Sequence, residues 1–380
     1  MTSAALRRTA LAVVALLALT ACGGEESTDT VDRAATPAVT TEAASTETAG
    51  EDTADADTGD SDGAGTVVST GLDPSDFVYG ALVGDVVTTE CTLSSGATGE
   101  CYELTVAGFP ANRDAVGPWC PSTTESTAEE GGIWFDGEHV YDVVGEFVLD
   151  LAEIYDDPGW QLFDEDGNVL STNTEEFFNA VAGPDNLTGE TPEEYMNLCV
   201  YGEVEWTESG GPVEATFEIP TTPTLAATAT EPGATLGVTL DGVRLEGGAP
   251  IDVILGDYNI GVFDDCGGHV NPVDGYHMHA TTGCSDADGD LPEGETALFA
   301  YALDGFGIHG PYEDGVEPDV ALDACNGHET TELGYHYHAN QGAENNVLPC
   351  FSGEIVEGAA AGGGGPGGGG GPGGPPPGDS

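Results

Sequence analysis

The stretch GYHMHA at residues 275–280 returns as GYHYHA at residues 334–339. The flanks repeat as well, because DDCGGHVNPVDGYHMHA, beginning at Asp264, aligns without a gap with DACNGHETTELGYHYHA, beginning at Asp323. A repeat with a fixed spacing indicates an internal duplication, in which each copy forms an equivalent unit of structure. The chain has eight histidines, and seven of them lie between residues 269 and 338. The duplication therefore bears on both the fold and the function.

A looser echo precedes the two copies: LGVTLDGVRLEGG, from Leu236, corresponds to FAYALDGFGIHGP, from Phe299. These runs resemble strands interrupted by Gly, and the Asp-Gly pairs at 136–137 and 166–167 are typical of hairpin turns. We predict a mainly β fold, a disulfide-stapled and sandwich-like domain with an internal duplication.

Few helices are expected. STNTEEFFNAVAG, from Ser171, predicts one, and TPEEYMNLCV predicts another. In the second, we expect Thr191 as the N-cap, Pro192 at the first helical position and Glu194 completing a capping box.

Each copy contains Cys-x-x-His followed, eight residues on, by His-x-His. Residues two apart on a strand face the same side, so each His-x-His presents two imidazoles together and turns the intervening Tyr or Met away. With a third histidine from the loop, each copy offers three nitrogen ligands to zinc or copper and leaves a position open. The candidate metal ligands are His269, His277, His279, His328, His336 and His338.

The two triads form either two equivalent sites or one site at a pseudo-twofold axis. We expect the second arrangement, with the two His-x-His strands adjacent and six histidines around one polar cavity. Two interpretations without a metal are a structural network of His and Tyr hydrogen bonds, and acid–base catalysis. His139 and His309 lie outside the repeat and receive no role.

The cysteines predict a disulfide framework, because eight remain after Cys22 and an even number is typical of exported proteins. The expected pairs are Cys91 with Cys101, Cys120 with Cys199, Cys266 with Cys284, and Cys325 with Cys350. The alternative is that the cysteine of each Cys-x-x-His is a zinc ligand.

The N-terminus predicts export. Residues 1–21 combine two arginines with an apolar run too short to span a bilayer, and Leu19-Thr20-Ala21-Cys22 resembles a bacterial lipobox. We expect Cys22 to be the lipid attachment site, which anchors the protein to the outer face of the cell membrane. The alternative is an ordinary cleaved signal.

Composition divides the rest of the chain. Residues 22–71 are expected to be a disordered acidic linker, and residues 357–380 a disordered Gly/Pro-rich tail. Between them we distinguish an N-terminal β-rich part, 72–216, and the duplicated domain, 217–356.

The net charge is −64, from 69 acidic and five basic residues. Such repulsion excludes nucleic acid and anionic lipid surfaces as partners. We attribute the charge to a salt-rich habitat, where screening makes it tolerable. The functional alternative is loose attraction of divalent cations.

Two acidic loops, LFDEDGN and CSDADGD, resemble pieces of an EF-hand. If their glycines take the invariant position, Leu162 or Cys284 falls at the first ligand position, and neither offers a carboxylate. We interpret both loops as tight turns, with calcium at Asp286, Asp288 and Asp290 as the weaker alternative.

The stretches CGGH…GYHMHA, YALDGFGIHGPY, CNGH…GYHYHAN and PCFSGE resemble the bacterial YHYH domain family, from about Phe217 to Gly353, with a looser likeness in YELTVAGFPANRDAVGPWCP. Two positions depart from the family pattern. Met278 replaces the second tyrosine of the first copy, and His309 stands in DGFGIHGP where the family pattern reads DGFPIYGP. The resemblance implies this architecture and export, but no particular reaction.

We therefore expect a surface-anchored lipoprotein that binds a transition metal or a small ligand through its two histidine repeats. The alternative is an exported metal-dependent hydrolase or redox enzyme. For that alternative, Asp304, Asp314 and Asp323 are candidate general bases for a metal-bound water.

Overall fold

The structure is a computed structural model that describes residues 71–107, 117, 119–181, 186, 190–202, 213–271, 274–282, 294–312, 316, 318 and 320–359. All of these belong to one compact unit, Ala64–Ser380. Predictions for the leader, Cys22, nearly all of the linker and most of the tail lie outside the described residues. Cys284, Asp314 and the proposed calcium loop at 286–290 lie outside them too.

Strands dominate, as predicted. They are β1 Val87–Thr92, β2 Thr98–Ala107, β3 Ile133–Phe135, β4 Val140–Asp142, β5 Ser171–Asn173, β6 Cys199–Tyr201, β7 Glu214–Pro220, β8 Leu225–Thr230, β9 Thr235–Thr239, β10 Arg244–Glu246, β11 Ile260–Gly261, β12 Gly268–Asn271, β13 Gly275–Met278, β14 Leu298–Ala302, β15 Gly307–His309, β16 Gly327–Thr330, β17 Gly334–His338 and β18 Phe351–Gly353. The α-helices of the described residues are α1 Gly145–Ile154, α2 Thr174–Val181 and α3 Ile251–Gly256. In these parts of the chain no helix has the length and apolar character needed to cross a membrane.

The duplicated region forms one eight-stranded sheet in the order β12-β13-β10-β9-β14-β15-β17-β16. Each half repeats the same pairings: an antiparallel hairpin, a parallel step to the His-x-His strand and an antiparallel edge strand. The halves meet at β9 and β14, which pair antiparallel with Val238 opposite Tyr301. These two residues occupy equivalent positions in the echo, so a pseudo-twofold axis passes through the centre of the sheet.

The prediction that the two His-x-His strands lie adjacent is wrong. Four strands separate β13 from β17, which at about 4.8 Å per step places them roughly 24 Å apart across the sheet. The echo strands take the centre instead. Strands β9, β14, β13 and β17 are all buried apart from the first residue of β14, so the difference lies in composition: β14 is apolar or aromatic on both faces, whereas the His-x-His strands carry polar rings on one face.

A second sheet covers the face of the large sheet that carries the tyrosines. Strands β1, β2 and β7 form it, and they pair antiparallel. Apolar residues from both sheets share the main core, among them Leu104, Val106, Phe217, Ile219, Tyr276, Met278, Tyr335 and Tyr337. Two sheets packed face to face confirm the sandwich-like prediction, and the buried tyrosines confirm that the His-x-His parity was read correctly.

The helix predictions succeeded in part. Helix α2 lies in the predicted stretch, but the second forms only a 3-10 turn at Glu193–Tyr195. Pro192 takes the N-cap position there without a side-chain bond, and the Thr191 hydroxyl instead bonds Asp257. Helix α1 was missed because its start, after Val144, has no side-chain cap that could signal it.

The structure contains three of the expected disulfides, which join Cys91 to Cys101, Cys120 to Cys199, and Cys325 to Cys350. Cys266 is also disulfide-bonded, and its predicted partner lies outside the described residues. Neither Cys-x-x-His therefore supplies a free thiolate as a zinc ligand.

The turn interpretation of LFDEDGN is confirmed. Asp164 Oδ1 accepts from the backbone N–H of Asp166 at 2.9 Å and of Asn168 at 2.8 Å. Gly167 has φ +83°, a conformation that glycine adopts without strain. The carboxylate is thus engaged in closing its own turn.

Candidate metal centres

The third histidine of each copy lies on an edge strand, β12 or β16, and not in a loop as expected, and one aspartate fixes the turn before that strand. In the first copy, Asp264 Oδ1 accepts from the N–H groups of Cys266 at 2.9 Å and Gly268 at 3.1 Å. Its Oδ2 accepts from the Tyr276 hydroxyl at 2.8 Å. The tyrosine on the far face of the strand thereby holds the loop that delivers His269 to the near face.

The second copy repeats this arrangement of hydrogen bonds. Asp323 accepts from the N–H groups of Cys325 and Gly327 and, at 2.7 Å, from the Tyr335 hydroxyl. Asp304 is likewise engaged, by the Tyr337 hydroxyl and by the backbone N–H of Gly353 at 2.9 Å. Both aspartates bond tyrosines that face away from the histidines, so they hold the scaffold rather than acting as the general bases considered from the sequence.

Triad 1, formed by His269, His277 and His279, brings three ring nitrogens together. The Nε2 atom of His277 lies 2.9 Å from that of His269 and 3.0 Å from that of His279. The third side of this triangle, from His279 to His269, measures 3.3 Å. These three side chains therefore meet, as we predicted from the sequence.

Triad 2, formed by His328, His336 and His338, has the same geometry. The Nε2 atom of His328 lies 2.9 Å from that of His336 and 3.1 Å from that of His338. Glu295 adds a carboxylate, whose Oε2 lies 3.2 Å from His336, 3.3 Å from His338 and 3.5 Å from His328. Triad 2 therefore presents four donor atoms, and triad 1 presents three among the described residues.

The other ring nitrogen of most of these histidines bonds a backbone carbonyl. Nδ1 of His277 lies 3.0 Å from Gly275 O, and Nδ1 of His336 lies 3.0 Å from Gly334 O. The remaining contacts of this kind join His279 to Gly247 O, His328 to Val320 O, and His338 to Gly310 O. A carbonyl only accepts, so a neutral ring in this contact carries its hydrogen on Nδ1 and leaves Nε2 as the lone-pair nitrogen. His338 Nδ1 also lies 3.0 Å from the Thr296 hydroxyl, which can donate to it.

Burial keeps the rings neutral. It lowers the pKa of His279 to about 4 and that of His338 to about 3, and it holds the pKa values of His269 and His277 well below their usual range. Burial by itself would raise the pKa of Glu295, but a hydrogen bond from His336 Nε2 and the neighbouring imidazoles lower it, and without a metal both effects need a hydrogen on an Nε2 atom. Neutral imidazoles and an ionised carboxylate are the ligand forms of these groups.

This arrangement favours a bound cation. In triad 1 the three Nε2 atoms lie 2.9–3.3 Å apart, so with the hydrogens on Nδ1 their lone pairs face one another, which a cation among them would relieve. In triad 2 the Glu295 carboxylate and the Tyr312 hydroxyl also lie within 3.5 Å of Nε2 atoms. A tetrahedron with bonds of about 2.0 Å has edges of about 3.3 Å. The donor separations of triad 2, from 2.9 to 3.5 Å, fit those edges. Either group can hold a metal ion.

Glu295 and two aromatic neighbours of triad 2 were missed by the sequence reasoning. Glu295 lies before β14 and outside the gapless repeat, and no motif marks it. The Tyr312 hydroxyl lies 3.1 Å from His338 Nε2. His309 packs its ring 4.7 Å from that of His336, and both line a cavity of about 550 Å³. The available signal for His309 was its departure from the family pattern.

Metal binding should resist mild acid. Burial holds the pKa values of His269 and His277 well below their usual range and lowers that of His279 to about 4, so at triad 1 protons compete with the metal only below about pH 5. An exposed three-histidine site would begin to lose affinity near pH 6.5. Competition titrations of His336→Ala, which keeps triad 1 intact, with zinc from pH 7.5 to 5 should therefore show a nearly constant affinity. A steep loss already between pH 7 and 6 would contradict the burial argument.

Comparison with known proteins gives one match. The family model described as YHYH protein matches residues 216–320. No curated protein and no solved structure matches the chain. The matched range includes triad 1 and ends before His328, so the extension to residue 356 stays a prediction. By this match, the chain contains a YHYH domain at residues 216–320.

Proposed function

We propose that the protein binds two transition-metal ions, one in each triad, outside the cytoplasmic membrane. One observation carries the proposal: backbone carbonyls fix the Nδ1 hydrogens, so that neutral Nε2 lone pairs converge in both triads. A network built only for stability would pair each Nε2 with a donor. His338 has the Tyr312 hydroxyl and His277 the Asn271 amide within 3.5 Å, yet each of these Nε2 atoms also has another Nε2 about 3 Å away. This convergence supports ligands rather than a hydrogen-bond scaffold.

Zinc fits best of the two metals considered from the sequence. Three imidazoles and one carboxylate at near-tetrahedral separations suit zinc, whereas copper(II) prefers a square-planar arrangement. In the first copy, the hydrogen bond from Tyr276 to Asp264 holds the turn that precedes His269. Hydrogen bonds around a metal site commonly hold its ligands in this way. Calcium, which takes six to eight oxygen ligands, does not suit either triad.

Metal analysis of protein purified without a histidine tag tests the proposal. We expect about two equivalents of zinc per chain after loading and removal of excess metal. A loaded content well below one equivalent, in protein shown by circular dichroism to be folded, would reject metal binding and return the triads to a structural role.

The location is a separate part of the proposal and rests on the lipobox-like LTAC at residues 19–22. If Cys22 is acylated, Cys22→Ala should release the protein to the medium or leave its signal uncleaved, because the lipid supplies the membrane affinity. Membrane fractionation and intact mass check this. Unchanged fractionation and an unchanged mass would contradict the anchor while leaving the metal sites untouched.

An exported metal-dependent enzyme is the second candidate. It is favoured by a cavity of about 360 Å³ lined by His279 of triad 1, since a catalytic metal needs space for a substrate next to it. This cavity leads to a more specific inference about the first site.

A further inference from the structure

The two halves of the sheet can be compared residue by residue, which shows where the two sites differ. Gly247 N–H donates to Ala234 O at 2.8 Å, and Gly310 N–H donates to Ala297 O at 2.8 Å. These equivalent bonds fix an offset of 63 positions on this side of the sheet. By that offset, the residue equivalent to Glu295 is Pro232.

A second difference follows from the same offset. The residue equivalent to Tyr312, whose hydroxyl touches His338 Nε2, is Ala249. In the second half, Glu295 and Tyr312 thus fill the space beside His338. The cavity of about 550 Å³ at this triad is lined by His336 and His309, and not by Glu295 or Tyr312. In the first half, Pro232 and Ala249 supply neither a donor atom nor the bulk to fill it.

The structure shows a cavity at that place. The space of about 360 Å³ is lined by Pro232, Ala249 and His279, together with Glu246 and Asn346. Asn346 Oδ1 is buried and has no hydrogen-bond partner among the described residues. A buried acceptor without a partner is costly, and it indicates a ligand or water that donates to it.

From these observations we propose that the metal of triad 1 keeps an exchangeable fourth position open to this cavity, whereas the metal of triad 2 is closed by Glu295. In the resting state the open position holds a water, which small nitrogen or anionic ligands displace. The inference rests on the proposed metal sites and divides their roles. Three protein ligands plus an exchangeable water are the pattern of reactive zinc sites, and four protein ligands that of structural ones.

The wall of the cavity favours a small ligand that can donate hydrogen bonds. Glu246 is paired with Arg244 at 3.1 Å, so its carboxylate is held at the wall by an ion pair. Asn346 Oδ1 adds an acceptor. A metal-bound water can donate to both, and a neutral imidazole presents one N–H with little charge to be repelled.

Cobalt(II) replacing zinc tests the proposal, because its visible spectrum reports on the ligands at the metal. His336→Ala leaves triad 1 as the only complete site, and His277→Ala leaves triad 2. We expect azide or imidazole to give a saturable spectral shift in cobalt-loaded His336→Ala and no shift in His277→Ala. An unresponsive triad 1, or equal responses from both variants, would overturn the inference.

Two reciprocal substitutions make the test sharper. In the His277→Ala background, Glu295→Ala should open triad 2 and create a response to azide or imidazole. In the His336→Ala background, Pro232→Glu should close triad 1 and abolish its response. Cobalt binding itself reports on the proposed function: failure of both single variants to bind cobalt would reject the metal sites, whereas binding without the expected difference would reject only the open position.

Discussion

His277→Ala should lower the metal content from two equivalents per chain to one, and His336→Ala should do the same at the other site. In triad 1 the three Nε2 atoms lie 2.9–3.3 Å from one another, and in triad 2 His328 Nε2 lies 2.9 Å and 3.1 Å from the other two. Two remaining imidazoles bind zinc far more weakly than three. Because the triads lie in opposite halves of the sheet, the two losses should be additive. Zinc titration monitored by calorimetry measures the number of sites.

The matched control is His139→Ala. His139 has a side chain that is 62 % exposed and lies 3.9 Å from Asp136, away from both triads, so its removal should leave two equivalents bound. If either His277→Ala or His336→Ala abolished both equivalents in folded protein, a single shared site would be indicated and the assignment of two sites would fail.

Removing the metals should destabilise the fold strongly. A metal at about a thousand times its dissociation constant stabilises the folded chain by roughly 4 kcal/mol per site, or about 8 kcal/mol for two. With each kcal/mol worth about 2–4 °C in a domain of this size, chelation should lower Tm by on the order of 15 °C or more. The physical reason is local: each metal would join three buried side chains from two neighbouring strands. Differential scanning calorimetry before and after chelation measures the change.

Reloading separates the triads from any other cation site. Zinc should restore Tm, whereas calcium should not, because the triads offer nitrogen ligands. A variant carrying both His277→Ala and His336→Ala should show no response to the chelator. An equal drop in Tm in that variant would place the effect elsewhere in the chain.

Acid should also lower the stability of the metal-free protein. Burial depresses the pKa of His279 to about 4 and that of His338 to about 3, while in the unfolded chain both return to about 6.5. Between those values the unfolded state binds more protons, so the stability of the metal-free protein falls as the pH falls from about 6.5 towards 4.

Local pattern predicted more of this protein than did long-range arrangement. The gapless repeat and the parity of His-x-His identified six side chains that meet in two groups, because neighbours along a strand and across a hairpin are fixed by strand geometry. The pairing of Cys325 with Cys350 also follows from one local unit. The order of strands did not follow from the repeat.

Composition rather than burial distinguishes the central strands, because β13 and β17 are buried at every position as well. Val238 and Tyr301 lie opposite one another at the pseudo-twofold axis, in echo strands that carry no histidine. The histidine repeat is the more visible pattern, yet it lies toward the edges, where β12 and β16 end the sheet. The prominence of the histidine motif in the sequence indicated a functional site, but it did not indicate a place at the centre of the sheet.

Glu295 could not be predicted for a different reason. Its carboxylate reaches His336 from a segment 41 residues earlier in the chain, and the corresponding position of the first copy is Pro232. A repeat reveals what two copies share, whereas the difference between the sites lies in what they do not share.

The central claim is that each triad binds its own metal through Nε2 atoms. A crystal structure of zinc-loaded protein, with anomalous diffraction measured at the zinc edge, tests this directly. We expect two peaks per chain in opposite halves of the sheet, each about 2 Å from three Nε2 atoms, with Glu295 completing the shell at triad 2. A single peak shared by the halves, or two empty triads in protein that carries zinc elsewhere, would contradict the account.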